Sequence, residues 1–247
     1  MVSTAGAQGP RRIPAIDLAR SAALLGMAVF HFTWDLELFG YLPPGTTLQG
    51  GWAILARAVA GSFLFLVGLS LVLAHGRGIR WQGFLRRLAM VAGAALVITL
   101  ATFLAMREAF IFFGILHSIA VASLLGLLFL RAPVWLILAA AAAVWFLPDL
   151  ARSAAFDPRW LAWTGLAETP PRSFDLVPLA PWFAATLLGI AAGRIGEAAG
   201  LWDLLAAATP GLLLRWAAWP GRHSLMVYLL HQPVLIGLVW LWTRATG

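Results

Sequence analysis

Seven long apolar stretches constrain this chain more than any other feature of its sequence. They are separated by turn residues or charges and lie at 14–34, 52–74, 84–105, 110–130, 132–148, 176–194 and 222–243. A helix rises about 1.5 Å per residue, so stretches of this length suit a hydrocarbon core about 30 Å thick. With 62% hydrophobic and 11% charged residues, the composition exceeds what a soluble core needs. The sequence therefore predicts an all-α, polytopic membrane bundle of about seven helices.

The segments between these stretches organise the chain as one domain, 1–247. Residues 1–13 are too polar for a cleavable signal, so we expect the first helix to direct insertion. The chain has 17 arginines and no lysine. The excess of arginine in alternate loops predicts an N-in, C-out topology. Residues 149–175 then form an outer loop. Residues 195–221, split by Pro-Gly, are predicted to lie along the cytoplasmic surface.

The first apolar stretch carries an ionisable stripe, defined as Asp17, Arg20, His31 and Asp35. Arg20 and His31 are eleven residues apart, about three helical turns, and so share one face. Charged groups at membrane depth are costly and usually face a bundle interior or a watery cavity. One interpretation pairs Arg20 with Asp17 and leaves His31 as an interfacial hydrogen-bonding group. The other makes Arg20 a cation for an anionic ligand and His31 a general base oriented by Asp35.

Two further histidines lie in apolar stretches. His117 stands among small residues in FFGILHSIAVAS, which also suits a polar clasp between closely packed helices. In the last stretch, Ser224, Tyr228 and His231 follow each other at i, i+4 and i+7 and share a face. A polar seam between helices and a catalytic face both remain open for this trio.

A cluster of arginines precedes and opens the third stretch: Arg77, Arg80, Arg86 and Arg87. The bias of arginine towards the cytoplasmic side of membranes is sufficient to explain it. The same cluster could also bind the phosphates of a nucleotide-bearing cosubstrate that enters from the cytoplasm.

Other kinds of chemistry find no support in the sequence. The chain has no cysteine, which excludes disulfides, thiolate metal sites and a cysteine nucleophile. It contains no P-loop, no GxGxxG and no HExxH motif, and His75 is too isolated to predict a metal site. The net charge of +7 would suggest nucleic acid in a soluble protein, but here topology explains it and no nucleic acid is expected.

Four segments resemble bacterial members of the heparan-alpha-glucosaminide N-acetyltransferase catalytic-domain family. In chain order they are IDLARSAALLGMAVFHF, FFGILHSIAVASLLGLLFLR, FDLVPLAPWFAATLLGIAAGR and PGRHSLMVYLLHQPVLIG. The spacing of Arg20 and His31 also resembles the first-helix signature of integral-membrane sugar O-acyltransferases, which belong to the same wider set of transmembrane acyltransferases.

This resemblance implies acyl transfer across a bacterial inner membrane. Acyl-CoA, usually acetyl-CoA, would act as cosubstrate from the cytoplasm, with no bound cofactor, and a sugar-like hydroxyl or amine would accept the acyl group outside. On this hypothesis His31 and Asp35 act as base and orienting group. His117 and His231 polarise the thioester or align the acceptor, and Arg20, Arg77, Arg80, Arg86, Arg87 and Tyr228 bind the cosubstrate. Direct transfer is simpler than an acyl-histidine intermediate, and a homodimer is left open.

A proton-coupled transporter and a non-catalytic structural protein are the alternatives to an acyltransferase.

Overall fold

The structure is a computed structural model that describes residues 13–76 and 78–246, so Arg77 and most of the N-terminal tail lie outside it. Its principal helices are α1 Pro14–Leu38, α2 Gly50–His75, α3 Trp81–Ala105, α4 Ile115–Gly126, α5 Val134–Ala151, α6 Arg159–Ala162, α7 Leu179–Ala198, α8 Leu201–Ala207, α9 Leu212–Ala217, α10 Trp219–Arg222 and α11 Ser224–Thr246. Within the described ranges, extended backbone pairs only as isolated bridges, so the all-α, polytopic prediction is confirmed.

Within the described chain, six helices are long and apolar enough to cross a membrane, namely α1, α2, α3, α5, α7 and α11. The stretch predicted at 110–130 is the exception, because α4 has only 12 residues and continues as a 3₁₀ turn over Leu127–Phe129. Its first part is extended instead of helical. Val177 N donates to the Phe113 carbonyl at 3.1 Å, so the backbone before α4 pairs with the loop before α7. Pairing with this loop provides hydrogen bonds for backbone N–H and C=O groups that a longer helix would satisfy internally.

Helices α2 and α7 form the centre of the bundle, and α5, α4 and α1 pack around them. Two glycines permit the close approach of α2 to α7. A Cβ added at Gly68 would overlap the Thr186 carbonyl oxygen, and one at Gly189 would overlap the Phe65 carbonyl oxygen. Small residues at such crossings let helix backbones come together where lipid gives no hydrophobic driving force. Leu187 is fully buried in the resulting core.

The segment predicted to lie along a membrane surface is broken into three short helices, α8, α9 and α10. Their exposed side chains include the large apolar groups of Leu204, Leu212 and Trp216. The location of this segment along a membrane surface stays a prediction. Gly221 in α10 docks on α1, where its N–H donates to Ser21 Oγ at 2.9 Å. A Cβ at Gly221 would overlap the Asp17 carbonyl oxygen, so only glycine permits this approach. The contact brings the start of α11 against α1.

Candidate functional site

A cavity of about 560 Å³ lies between α2, α3 and α4 at the end of the bundle where α2 finishes and α3 begins. We call this end the basic end, because Arg80 and Arg87 line the cavity there together with His75. The cavity continues inward to Ser70 on α2 and Ser123 on α4. Its volume falls within the roughly 300–1,000 Å³ of small-molecule sites. Its cations suit an anionic ligand.

Arg20 reaches this cavity from α1 through Ser70. Its Nη2 donates to Ser70 Oγ at 2.6 Å, and its Nη1 pairs with Asp17 at 3.0 Å. Arg222 Nε lies 3.6 Å from the other oxygen of Asp17. One carboxylate is thus shared by two guanidinium groups, which leaves excess positive charge beside the cavity. The ion pair expected between Asp17 and Arg20 is present, and it does not exclude a role for Arg20 towards an anion.

The other end of the ionisable stripe contacts α11 instead of the cavity. The rings of His31 and His231 meet edge to face with their centroids 4.9 Å apart. One turn further along α1, Asp35 is fully buried and accepts a 2.6 Å hydrogen bond from Gln232 Nε2. Within the described residues Asp35 therefore bonds to Gln232 and not to His31. It aligns the two helices that carry the histidines and, among the described residues, makes no hydrogen bond to the imidazole that it was expected to orient.

Several buried polar atoms in this α1–α11 contact have no hydrogen-bond partner among the described residues. They are His31 Nδ1, Asp35 Oδ2, His231 Nε2 and Gln232 Oε1. Buried polar groups are normally satisfied, so four unpartnered atoms in one place suit the binding of a polar substrate group. We call these four residues the polar cluster.

The tautomer of His231 follows from its one hydrogen bond. Its Nδ1 lies against the carbonyl oxygen of Tyr228, and a carbonyl can only accept, so Nδ1 carries the proton. Nε2 is then unprotonated, buried and unpartnered. A nitrogen in this state is able to take a proton from a substrate, as general base catalysis requires.

Tyr228 connects the polar cluster to the cavity. Its ring centroid lies 5.4 Å from that of His231. The same side chain packs against a core cluster that contains Val91 and Ala120, both of which also line the cavity. His31 and His231 do not line the cavity themselves, so Tyr228 stands between the basic cavity and the two histidines.

His117, on α4, has a different environment from His31 and His231. Its Nδ1 accepts from Gly114 N at 3.2 Å, which places the proton on Nε2, and Nε2 lies 3.2 Å from Thr99 Oγ1. Thr99 in turn donates to the Ile111 carbonyl at 2.7 Å. Both ring nitrogens therefore have partners, and His117 joins α4 to α3 in the manner of the polar clasp considered from the sequence.

Asp175, in the loop before α7, holds the start of α4. Its Oδ2 accepts from Ile115 N at 2.9 Å, and a Cβ at Gly114 would overlap this oxygen. Burial raises the pKa of Asp175 to about 6, and the hydrogen bond from Ile115 opposes the rise. Asp175 also lies close enough to Tyr228 to interact electrostatically with it. The carboxyl therefore ties the loop to α4 on the approach to Tyr228.

The structure brings some of the predicted site residues together and separates others. Arg80 and Arg87 line the cavity with Arg20 beside it, whereas Arg86, also on α3, does not line it. His31, Asp35 and His231 meet at the polar cluster, and Tyr228 lies beside them.

Sequence reasoning did not assign four residues to the site: Ser70, Asp175 and Gln232, and His75, which was considered only as a metal ligand. Gln232 adjoins His231, so a polar amide beside an intramembrane histidine was a usable signal. Ser70 and His75 had no such signal, because their importance depends on which helices surround the cavity.

The comparison with protein families gives one result that covers almost the whole chain. The model of the family described as "Heparan-alpha-glucosaminide N-acetyltransferase, catalytic" matches residues 12–233. No curated protein and no solved structure matches this chain. The match includes every helix of the basic cavity, and it covers the polar cluster through α1 and the first part of α11, up to residue 233. The chain therefore belongs to the heparan-alpha-glucosaminide N-acetyltransferase catalytic-domain family, a family of membrane acetyltransferases.

Proposed function

We propose that this protein transfers an acetyl group from acetyl-CoA to a hydroxyl or amine of a sugar-like acceptor across a bacterial inner membrane. The observation that carries the proposal is the basic cavity, which runs from Arg80 and Arg87 at the end of the bundle to Ser70 inside it. A thioester with an anionic head and a long neutral arm has the charge pattern that this cavity complements.

The orientation follows from the arginines. The basic end faces the cytoplasm if positive side chains are retained there, as they are in most membrane proteins. Acetyl-CoA then enters from the cytoplasm, its phosphates bind near Arg80 and Arg87, and its thioester points towards Tyr228. The acceptor approaches the polar cluster from the opposite side of the membrane.

The histidine pair supplies the proton chemistry. The acceptor oxygen or nitrogen forms a bond to the acetyl carbon while its proton passes to His231 Nε2. The carbon–sulfur bond breaks, and the CoA thiolate leaves and takes up a proton. His31 contacts the His231 ring and holds it in place while His231 carries the transferred proton. The hydrogen bond between Asp35 and Gln232 keeps α1 and α11 aligned.

Ligand-induced stabilisation tests the cosubstrate. We expect acetyl-CoA and CoA to raise the thermal unfolding temperature of the detergent-purified protein, because a ligand that binds only the folded state stabilises it. Arg87→Gln removes a charge-assisted contact worth about 1.5–3 kcal/mol and should weaken binding roughly 10- to 100-fold.

Arg215→Gln is the matched control, since Arg215 is exposed on α9 and does not line the cavity. No stabilisation by millimolar acetyl-CoA, or equal effects of the two arginine substitutions, would contradict the proposal.

A further inference from the structure

A second cavity of about 300 Å³ adjoins the basic cavity at the same end of the bundle. His75 and Trp81 line both cavities and form the wall between them. The smaller cavity continues to the 3₁₀ turn after α4, where Leu128 and Arg131 contribute to it. A ligand in the basic cavity could therefore extend past His75 and Trp81 into the smaller one.

His75 presents a hydrogen-bond donor at this wall. The side chain is only 9% exposed, and its Nδ1 accepts from the backbone N–H of Arg80 at 3.2 Å. The proton of the neutral ring is consequently on Nε2, at the far side of the imidazole. Among the described residues the ring makes one hydrogen bond, the one it accepts from Arg80 N–H, and none through Nε2. Phe84 packs edge-on against the ring, with the centroids 5.7 Å apart. The ring is thus held with one free donor next to Arg80 and Arg87.

The walls of the smaller cavity differ from those of the larger one. They consist mainly of Ile79 and the leucines of the 3₁₀ turn, with the Trp81 indole on one side. Trp81 is 57% exposed, so its ring is free to contact a ligand. An aromatic ring beside aliphatic walls suits a flat heteroaromatic base, since bases stack on aromatic side chains irrespective of their identity. Arg131 adds a cation at the edge.

We propose that the two cavities form one bipartite site, in which the smaller cavity takes the purine base of the cosubstrate and His75 Nε2 donates to one of its phosphates. This inference rests on the proposed function, because it assigns the nucleotide end of acetyl-CoA. The base stacks on Trp81, the phosphates lie between His75, Arg80 and Arg87, and the pantetheine arm runs past Ser70. The smaller cavity therefore gives the protein a preference for a nucleotide-bearing thioester over a shorter phosphopantetheine thioester.

Two substitutions at His75 distinguish loss of the Nε2–H donor from a structural effect of replacing the ring. Asn can keep an acceptor where Nδ1 receives the Arg80 N–H but lacks a donor at the Nε2 position, whereas Gln can place an N–H there. We expect His75→Asn to weaken CoA binding roughly 10-fold or more and His75→Gln to restore most of it, because hydrogen bonds to charged groups are strong. Equal losses in the two variants would overturn the role of His75 as a phosphate donor.

A cavity-filling substitution tests the base. Leu128→Trp adds an indole to the smaller cavity from an exposed position, and Leu124→Trp adds one on α4 outside both cavities. Dissociation constants are measured by calorimetry for CoA and for 4′-phosphopantetheine, which lacks the nucleotide. We expect Leu128→Trp to weaken CoA binding about 10-fold and leave 4′-phosphopantetheine unchanged, while Leu124→Trp alters neither.

The outcomes distinguish this inference from the proposed function. If the unmodified protein binds CoA and 4′-phosphopantetheine equally well, and Leu128→Trp weakens neither, the base does not occupy the smaller cavity, although the cosubstrate assignment stands. If the unmodified protein binds neither compound, both proposals fail.

Discussion

The imidazole rings of His31 and His231 meet edge to face at 4.9 Å, although 200 positions separate them in the chain. The neighbouring contact between Asp35 and Gln232 fixes the two helices that carry these rings. Each helix by itself presents only one histidine in an apolar segment. Only their contact produces a buried group of donors and acceptors at one level of the bundle.

The histidine pair should be needed for chemistry and not for cosubstrate binding. We expect His231→Ala to lower the rate of acetyl transfer by about 10²–10⁴-fold, because it removes the unprotonated Nε2. His31→Ala should also lower it, through loss of the ring that contacts His231. The measurement is single-turnover transfer from radiolabelled acetyl-CoA in detergent, with CoA affinity determined in parallel.

His223→Ala is the control for these two variants, because His223 is exposed and its side chain hydrogen-bonds only to the Trp219 carbonyl among the described residues. Undiminished transfer by His231→Ala would refute the assignment of His231 as base.

The hydrogen bond from Gln232 to Asp35 should contribute measurably to stability. Gln232→Leu leaves a fully buried carboxyl without its donor, and we expect a loss of about 1–3 kcal/mol in the free energy of unfolding. The double variant Asp35→Leu/Gln232→Leu removes both polar partners and should lose less than the sum of the single losses. Chemical denaturation in mixed micelles measures all three. Strict additivity would indicate that the two side chains act independently.

The close crossing of α2 and α7 should not tolerate a side chain at Gly68. Gly68→Ala places a Cβ against the Thr186 carbonyl, and we expect about 1–3 kcal/mol of destabilisation from overpacking. Gly93→Ala on α3 is the matched control, because a Cβ there meets no atom within 4 Å. Alanine favours a helix over glycine, so the control should be neutral or slightly stabilising. Thermal unfolding followed by circular dichroism compares the two variants.

Asp175 should make stability depend on pH. Its pKa is raised to about 6 in the folded protein, whereas an unfolded aspartate titrates near 3.9. Its contribution to stability is therefore fully present below about pH 4 and is lost as the pH rises to about 6, with no further change above.

The variant Asp175→Asn isolates this contribution, because Asn keeps an acceptor for Ile115 N–H but does not titrate. The unfolding temperature of the unmodified protein, relative to that of this variant, should fall as the pH rises from 4 to 6. A difference that is constant over that range would show that Asp175 ionises normally.

The sequence predicted the helical segments well, and it failed where tertiary pairing competed with helix formation. Apolar runs define helices in a membrane because each must satisfy its own backbone groups. The apolar run before α4 is not helical, because the backbone near Phe113 pairs with the loop before α7. A partner some sixty residues away cannot be identified from the local pattern.

The sequence by itself determined that this is a multi-helix membrane protein with ionisable groups on its first helix, since burial in lipid imposes both length and apolarity on each segment. The tertiary structure alone decided how that stripe is divided, with Arg20 beside the basic cavity and His31 against α11. The physical reason is that helical periodicity assigns a residue to a face, but close packing, as where Gly221 packs on α1, decides which neighbour that face meets.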